Sequence, residues 1–411
     1  MNSFASCPGP TRKPKHEGYW AGPEGKEAGS SIPLASTHRL RESQLNESTL
    51  TSPTRSLRRQ KAIMSRPPPP MLSVPEKRTA AAELFRDRHF FGAAAFSDIR
   101  DARAAVAVPN PQAQPPASRR ALLLRYHRLL FSARDDPCAF DEALSFTWND
   151  AFRPHLKHAA ASLRFEKAAL VFNIGAAASR IAAAHSRATE EGVRAACWEF
   201  QRAAGAFRAV GQMMEEEAAT TVDMSSQASA MLERLMLGQA QECCFERALA
   251  GGKSPAVCSK VARQAALYYE EAYAALVAPP LQNHFERSWV SQVQLKAALF
   301  NAEACYRHAI DLREKTEIGE EIARLQVGIN AIVDAKRTAR GAPGPLYDYV
   351  SRLEQDMNKS LEIAKEENYR IYLFRIPVAT SLVPLPAASL VRFAPLNEIL
   401  EAKSENGTQS P

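Results

Sequence analysis

Cysteine and histidine are the residue types here that most readily act as nucleophiles, bases or metal ligands, and the sequence contains seven cysteines and nine histidines. His155 and His158 are three residues apart and fit one face of a helix, but no cysteine or carboxylate cluster completes a set of metal ligands. We therefore expect both histidines at the protein surface. The cysteines form no C-x-x-C pair and fall mostly in apolar helical runs, which is typical of buried thiols in a reducing compartment.

Sequence signatures of enzymes are missing. The chain has no G-x-G-x-x-G or G-x-x-x-x-G-K-[ST] loop, no G-x-S-x-G elbow and no H-E-x-x-H motif. A cysteine-dependent enzyme stays open as a hypothesis, because a thiolate and a histidine can meet in the folded chain alone. Gln239, Gln241 and Glu242 lie inside an apolar run, where we expect structural hydrogen bonds. The sequence predicts no cofactor, no metal and no small-molecule substrate, and it favours a protein that acts by binding.

The positive charge of the chain is local. The net charge is +7, yet the residues up to Val74 carry 11 basic and 5 acidic side chains, and the rest carries 41 and 40. The main body is therefore nearly neutral, which argues against nucleic acid as a partner. No apolar run of 18 residues without charges marks a membrane span.

Proline spacing predicts the architecture. Two long stretches contain no proline, from Pro154 to Pro255 and from Pro280 to Pro343, so long helices are expected to fill them. Aromatic residues are only 8% of the chain, and its apolar content is rich in helix-forming alanine and leucine. We predict an all-α fold, a stack of long antiparallel helices with an extended, proline-interrupted C-terminal tail.

Two helix starts and two buried helices can be named. Thr189 is a suitable N-cap before Glu190, and Ser254 caps a helix whose first residue is Pro255. Two segments are apolar on more than one face and should lie between neighbours: Leu163–Ala184 and Met231–Ala248. By composition, we expect residues 1–70 to form a disordered basic leader rich in proline and serine, 71–402 the folded domain and 403–411 a disordered tail.

Several separated strings carry a family resemblance. They are SFTWNDAF (145–152), FEKAALVFNIGAAASRIA (165–182), FQRAAGAF (200–207), LMLGQAQE (235–242), GEEIARLQ (319–326), KEENYRIYLFRIP (365–377) and VPLPAASLV (383–391). In this order they resemble the Bro1 domain family. The layout is most similar to its stand-alone, Alix-like members, without the V domain, the proline-rich tail or a C-terminal prenylation cysteine.

The resemblance implies a boomerang-shaped domain on a tetratricopeptide-like core. It also implies a non-enzymatic adaptor of the ESCRT pathway that binds the C-terminal amphipathic helix of a Snf7-type ESCRT-III subunit. Such an adaptor is cytoplasmic, is recruited to endosomal membranes through its partners, and supports vacuolar protein sorting into multivesicular bodies. The alternative is a Rho-GTPase-binding or general scaffold protein of the rhophilin type.

Matching the family strings places its partner-helix groove on five residues. The apolar patch falls on Cys244, Val257 and Val261, and the charged rim on Glu190 and Arg194. From the residues alone, core packing of the valines and an ordinary solvated ion pair remain open. Alix-type members carry a large aromatic where Cys244 stands, which implies weaker binding or a different partner helix.

Two further expectations follow from the same match. Replacing both Val257 and Val261 by aspartate should abolish partner binding without unfolding the protein. Tyr372 matches a tyrosine in a second surface pocket of the family, while simple packing of the tail remains open for it.

Overall fold

The computed structural model describes residues 68–79, 93–108, 110–132, 145–215 and 220–401. Most of the expected leader, the expected tail 403–411 and the cysteines Cys7 and Cys138 lie outside these ranges. The described part contains ten α-helices and one β-hairpin. They are α1 (Ala93–Val106), α2 (Pro116–Ser132), β1 (Phe146–Asn149), β2 (Lys157–Ala160), α3 (Leu163–Ala184), α4 (Glu190–Met214), α5 (Ser226–Ala250), α6 (Pro255–Leu276), α7 (Arg287–Glu314), α8 (Ile318–Thr338), α9 (Gly344–Glu367) and α10 (Leu396–Glu401).

The helices from α3 to α9 form a sequential stack. Each packs against the next along the chain, and residues 185–189, 251–254 and 315–317 make short connections. Such connections force neighbouring helices to run antiparallel. The predicted all-α architecture is confirmed.

Local sequence explains where the helices begin. The Thr189 hydroxyl accepts the Gly192 N–H at 3.1 Å and caps α4 as expected, while Ser162 and Ser225 cap α3 and α5 in the same way. The prediction for Ser254 was wrong in one respect: α6 does begin at Pro255, but the Ser254 side chain makes no capping bond. Proline at the first position leaves one orphan N–H fewer to satisfy.

Two helices lie between neighbours, as predicted for Leu163–Ala184 and Met231–Ala248. Both α3 and α5 are buried on nearly all sides, because each is covered by helices before and after it. Gly238 and Gly175 leave room for close approach: a Cβ on Gly175 would lie 2.9 Å from Ala206 on α4.

The hairpin is the element that the periodicity did not predict. Phe146 and Trp148 of β1 alternate into the core, and the Trp148 indole N–H donates to the Glu166 carboxylate at 2.5 Å. Arg103 of α1 also pairs with Glu166, so one buried carboxylate joins α1, the hairpin and α3. His158 lies on β2, so His155 and His158 do not share a helix face.

An extended N-terminal segment, residues 68–79, crosses the helices. The Gln239 amide pairs with both backbone groups of Leu72, at 2.6 and 2.9 Å, and the Asn173 amide does the same for Lys77, at 2.7 and 3.0 Å. Residues 68–70, just before the expected domain boundary, already pack on the helices. Pro69 is buried, and its carbonyl accepts a hydrogen bond from the Arg187 guanidinium.

The C-terminal tail runs extended over the helix stack from residue 373, as predicted, with a short helical turn at Ala379–Ser381 and α10 near its end. Gln201 of α4 holds it in place: its side-chain oxygen accepts the Arg392 N–H and its backbone carbonyl accepts the Ala394 N–H, both at 3.0 Å. The tail passes so close to α4 that a Cβ on Gly205 would meet the Ala394 carbonyl at 1.9 Å.

We therefore expect Gly205→Ala to detach this part of the tail. The added methyl group cannot fit against a backbone carbonyl, a strain of about 1–3 kcal/mol, so the tail must move away from α4. Trypsin should then cleave after Arg392 several times faster than in the unchanged protein. Gly344→Ala is the matched control, because a Cβ there meets nothing within 4 Å. Equal cleavage rates for all three proteins would contradict this account of the tail.

Candidate partner-binding site

One face of α4 carries the expected rim residues. Glu190, Arg194, Cys197 and Gln201 follow each other at spacings of four, three and four, which places them along one side of the helix. This side faces α5, because the Cys197 sulfur lies 3.8 Å from the Cys244 sulfur. The structure thus brings Cys244 together with the helix that carries Glu190 and Arg194.

The rim charges form an open, exposed set. Arg194 lies 4.0 Å from Glu190 and 3.8 Å from Glu191, and Arg247 of α5 also lies 4.0 Å from Glu190. All four side chains are largely exposed, so these pairs are screened by water and contribute little to stability. Their charges remain available to a partner.

The two valines of α6 lie one turn apart but differ sharply in exposure. Val257 is 42% exposed, whereas Val261 is 2% exposed. The Val261 carbonyl accepts a hydrogen bond from Gln241 of α5 at 3.1 Å, so this turn of α6 is held against its neighbour. Val257 presents apolar surface, and Val261 forms part of the packed floor beside it.

This difference corrects one expectation. A double replacement of Val257 and Val261 by aspartate cannot be assumed to leave the fold intact, because Val261 is buried and an aspartate there has no partner for its charge. Val257 is the position that tests surface binding without disturbing the core.

The tail closes one end of the same face. The Gln241 side-chain N–H group donates to Ala388 at 2.8 Å, and its oxygen accepts the Leu390 N–H at 3.0 Å. Leu390 is 60% exposed beside the α5 and α6 residues that hold the tail. Leu390 lies in the string VPLPAASLV, but helical periodicity carries no information on an extended segment, so the sequence did not indicate this residue.

We call the surface formed by Glu190, Arg194, Cys244, Val257 and Leu390 the α4–α6 groove. We name its parts by their residues: the apolar strip is the exposed Val257 and Leu390, the floor includes the buried Val261, and the rim is the exposed Glu190 and Arg194. Gln241 ties the tail to α5 and α6 at the floor. Such a surface suits an amphipathic helix, which offers an apolar face bordered by charges.

A buried charge cluster fixes the opposite side of α5. The Glu242 carboxylate accepts from Lys296 and from the Tyr269 hydroxyl, both at 2.7 Å, and pairs with Arg187 at 3.2 Å. Burial lowers the pKa of Lys296, and burial raises the pKa of the neighbouring Glu246 to about 7. Glu242 and Cys244 are two residues apart, so they lie on opposite sides of α5. By fixing the side that carries Glu242, the cluster turns Cys244 towards α4. The expected structural role of Gln239, Gln241 and Glu242 is confirmed.

Tyr372 lies outside the α4–α6 groove, at the end of a π-helical turn, Asn368–Tyr372. The Asn368 amide bonds both backbone groups of Phe374, at 3.0 and 2.9 Å, and the half-buried Tyr372 ring stacks on the Phe374 ring with centroids 5.7 Å apart. Leu373, between them, adopts a left-handed conformation with φ 54° and is exposed. The turn therefore presents an aromatic and apolar surface.

The described residues contain neither a metal site nor a membrane-spanning helix. No group of three or more His, Cys, Asp or Glu side chains is placed there to hold a metal ion. Within the same ranges, no helix is both long and apolar enough to cross a bilayer.

Stacked helical hairpins with a surface groove define a class of protein that recognises peptides and helices. A model of the BRO1-like domain matches residues 85–410, and the chain belongs to this family. The resemblance drawn from the sequence strings is confirmed.

Two known proteins and one solved structure are similar to this chain. Vacuolar-sorting protein BRO1 of Arabidopsis thaliana is 41% identical over 357 residues, which cover 82% of this chain and 42% of that protein. ALG-2 interacting protein X of Dictyostelium discoideum is 35% identical over 259 residues, covering 62% of this chain and 32% of that protein. The chain thus spans less than half of either relative's length. The solved ALIX BRO1 CHMP4C complex matches with a TM-score of 0.70 at 28% identity, covering 82% of this chain and 98% of that one.

The unequal burial of the two valines gives a direct stability test. Val261→Asp should lower the free energy of unfolding by about 3 kcal/mol or more, because it buries an unpaired charge. Val257→Asp should change it by no more than about 0.5 kcal/mol, as is usual for surface positions. Urea unfolding followed by circular dichroism measures both, and equal losses would contradict the placement of Val257 at the surface.

Proposed function

We propose that this protein is an ESCRT-associated adaptor whose α4–α6 groove binds the C-terminal amphipathic helix of a Snf7-type ESCRT-III subunit. By this binding it supports endosomal sorting into multivesicular bodies, and it reaches endosomes from the cytoplasm through its partners. The observation that carries the proposal is the apolar strip of Val257 and Leu390 beside a packed floor and an exposed charged rim.

The known proteins support this assignment. One relative is named a vacuolar-sorting protein, and one matching structure is a BRO1 domain in complex with CHMP4C. The groove adds a physical reason, because a helix with apolar residues at i, i+3 or i+4 and i+7 can lie along Val257 while its polar residues reach Glu190 and Arg194.

Cys244 sets the depth of the groove. The thiol is small and is drawn towards Cys197, so less apolar surface is available to a partner than with an aromatic side chain. At ~25 cal/mol per Å² of buried apolar area, the difference amounts to ~1–2 kcal/mol of binding free energy. We expect the preferred partner helix to carry a larger apolar anchor opposite Cys244.

Tyr372 belongs to a second proposed contact surface. Its ring, the exposed Leu373 and the exposed Tyr369 present aromatic and apolar area on one turn of the tail. Because none of these residues lines the α4–α6 groove, Tyr372→Ala should leave binding of the Snf7-type helix unchanged.

Val257→Asp tests the groove directly. A charge in the apolar strip should weaken binding of a synthetic Snf7-type C-terminal helix by about 10-fold to 100-fold, which corresponds to ~1.4–2.8 kcal/mol. Isothermal titration of the full chain with the peptide measures the affinity.

Val277→Asp is the matched control. Val277 is 43% exposed, close to the 42% of Val257, and lies just after the other end of the same helix. It should bind the peptide as the unchanged protein does. If Val257→Asp bound with full affinity, or if both variants lost binding equally, the groove assignment would fail.

The charged rim gives an independent test. Exchanging its charges, Glu190→Arg with Arg194→Glu, keeps the net charge but inverts the local pattern. The peptide should then associate about 3-fold to 10-fold more slowly at low ionic strength, with the difference shrinking as salt is added. Exchanging Asp334 and Arg337, a somewhat more exposed pair on α8, is the control. Stopped-flow fluorescence measures the rates, and an unchanged rate for the Glu190 and Arg194 variant removes the rim from the site.

A further inference from the structure

We infer that Cys197 and Cys244 form an oxidisable dithiol site, in which a disulfide bond between α4 and α5 weakens binding at the α4–α6 groove. Their sulfur atoms lie 3.8 Å apart although the residues are 47 positions apart in the sequence. The effect on binding rests on the proposed function, whereas formation of the disulfide does not.

The geometry suits bond formation. A disulfide is ~2.05 Å long, so the two sulfurs must approach by roughly 1.8 Å. The thiols are 7% and 8% exposed, which places them at the edge of the core, within reach of a small oxidant. Cys243, the neighbour of Cys244 on α5, is completely buried and does not share this access.

The surroundings assign different roles to the two sulfurs. A hydrogen bond from the Cys197 thiol lowers the pKa of Cys244, and the Arg247 guanidinium acts in the same direction. The same hydrogen bond, together with burial, raises the pKa of Cys197. With the Cys197 thiol as donor, Cys244 is the attacking thiolate, and the opposite assignment of the two sulfurs leads to the same disulfide.

The chemistry balances with a peroxide as oxidant. The Cys244 thiolate attacks one oxygen of hydrogen peroxide, the O–O bond breaks, and a sulfenic acid and hydroxide result. The Cys197 sulfur then attacks the Cys244 sulfur, loses its proton and expels the second hydroxide as water. Two thiols and one peroxide give one disulfide and two water molecules, and a dithiol reductant reverses the change.

The bond lies at the groove. Glu190 and Arg194 are on the same face of α4 as Cys197, and Cys244 is itself a groove residue. Drawing Cys244 closer to α4 moves its sulfur away from Val257, and a close-packed floor transmits such a shift to the residues on it. The oxidised groove therefore fits the partner helix less well.

Peptide mapping of the full chain tests the disulfide. The protein is treated with hydrogen peroxide, its remaining thiols are alkylated, and trypsin releases residues 195–202 with Cys197 and residues 235–247 with Cys243 and Cys244. We expect these two peptides to be joined, with the loss of two hydrogen atoms, and to separate on reduction.

Serine variants identify the partner. The joined peptides should persist in Cys243→Ser and disappear in Cys197→Ser and in Cys244→Ser. Circular dichroism of each variant establishes that it is folded. Linkage that persists in Cys244→Ser, or thiols at Cys197 and Cys244 that stay fully alkylatable after oxidation, would overturn the dithiol site.

Titration with the synthetic Snf7-type helix tests the consequence. The oxidised protein should bind at least about fivefold more weakly than the reduced one, and Cys197→Ser should bind equally before and after oxidation. Equal affinity of the reduced and oxidised unchanged protein overturns the effect on binding. If the reduced protein binds no helix at all, the proposed function fails, while the mapping result decides the dithiol separately.

Discussion

The structure depends on how two extended segments satisfy their backbone hydrogen bonds on a surface made of helices. A helix uses its own N–H and C=O groups internally, so it offers no ladder to a chain that crosses it. Amide side chains take this role: Gln239 and Asn173 hold the N-terminal segment, and Gln241 holds the C-terminal tail. Each amide supplies both a donor and an acceptor, which matches the two groups that a residue of extended chain presents. The helix stack and the two extended segments across it therefore form one hydrogen-bonded unit.

The α4–α6 groove depends on these hydrogen bonds between helices and tail. One amide, that of Gln241, contacts the Val261 carbonyl of α6 and two tail residues, and so joins α5, α6 and the tail at one end of the groove. On the other side of α5, the buried Glu242 meets Lys296 and Tyr269. Removing a partner from such a cluster leaves a buried charge, so the orientation of α5 is strongly specified. Cys244 faces α4 because both sides of its helix are fixed.

In the proposed complex with a partner helix, the ion pairs and the apolar side chains of the groove have different roles. The exposed pairs around Glu190 and Arg194 contribute between about 0 and 1 kcal/mol each to stability, which leaves their charges free to set the rate and register of an encounter. In the proposed complex, apolar contact at Val257 and Leu390 is expected to supply most of the affinity, since burial of such side chains is worth more than a screened ion pair. Cys244 is buried and small, so it adds little apolar area to that contact.

The sequence by itself determined the all-α class, the starts of α4 and α6 and the central position of α3 and α5, because periodicity, capping and proline spacing are local properties. Family strings, and no local rule, pointed to the groove residues. The β1–β2 hairpin could not be predicted from local sequence, because the burial of Trp148 depends on Glu166 and Arg103 from other elements. Helical spacing does not distinguish Val257 from Val261. Val257 is exposed and Val261 is buried, because the cover over each valine comes from neighbouring helices and the tail. The same holds for the contact between Cys197 and Cys244, since distances between residues far apart in sequence are set by packing alone.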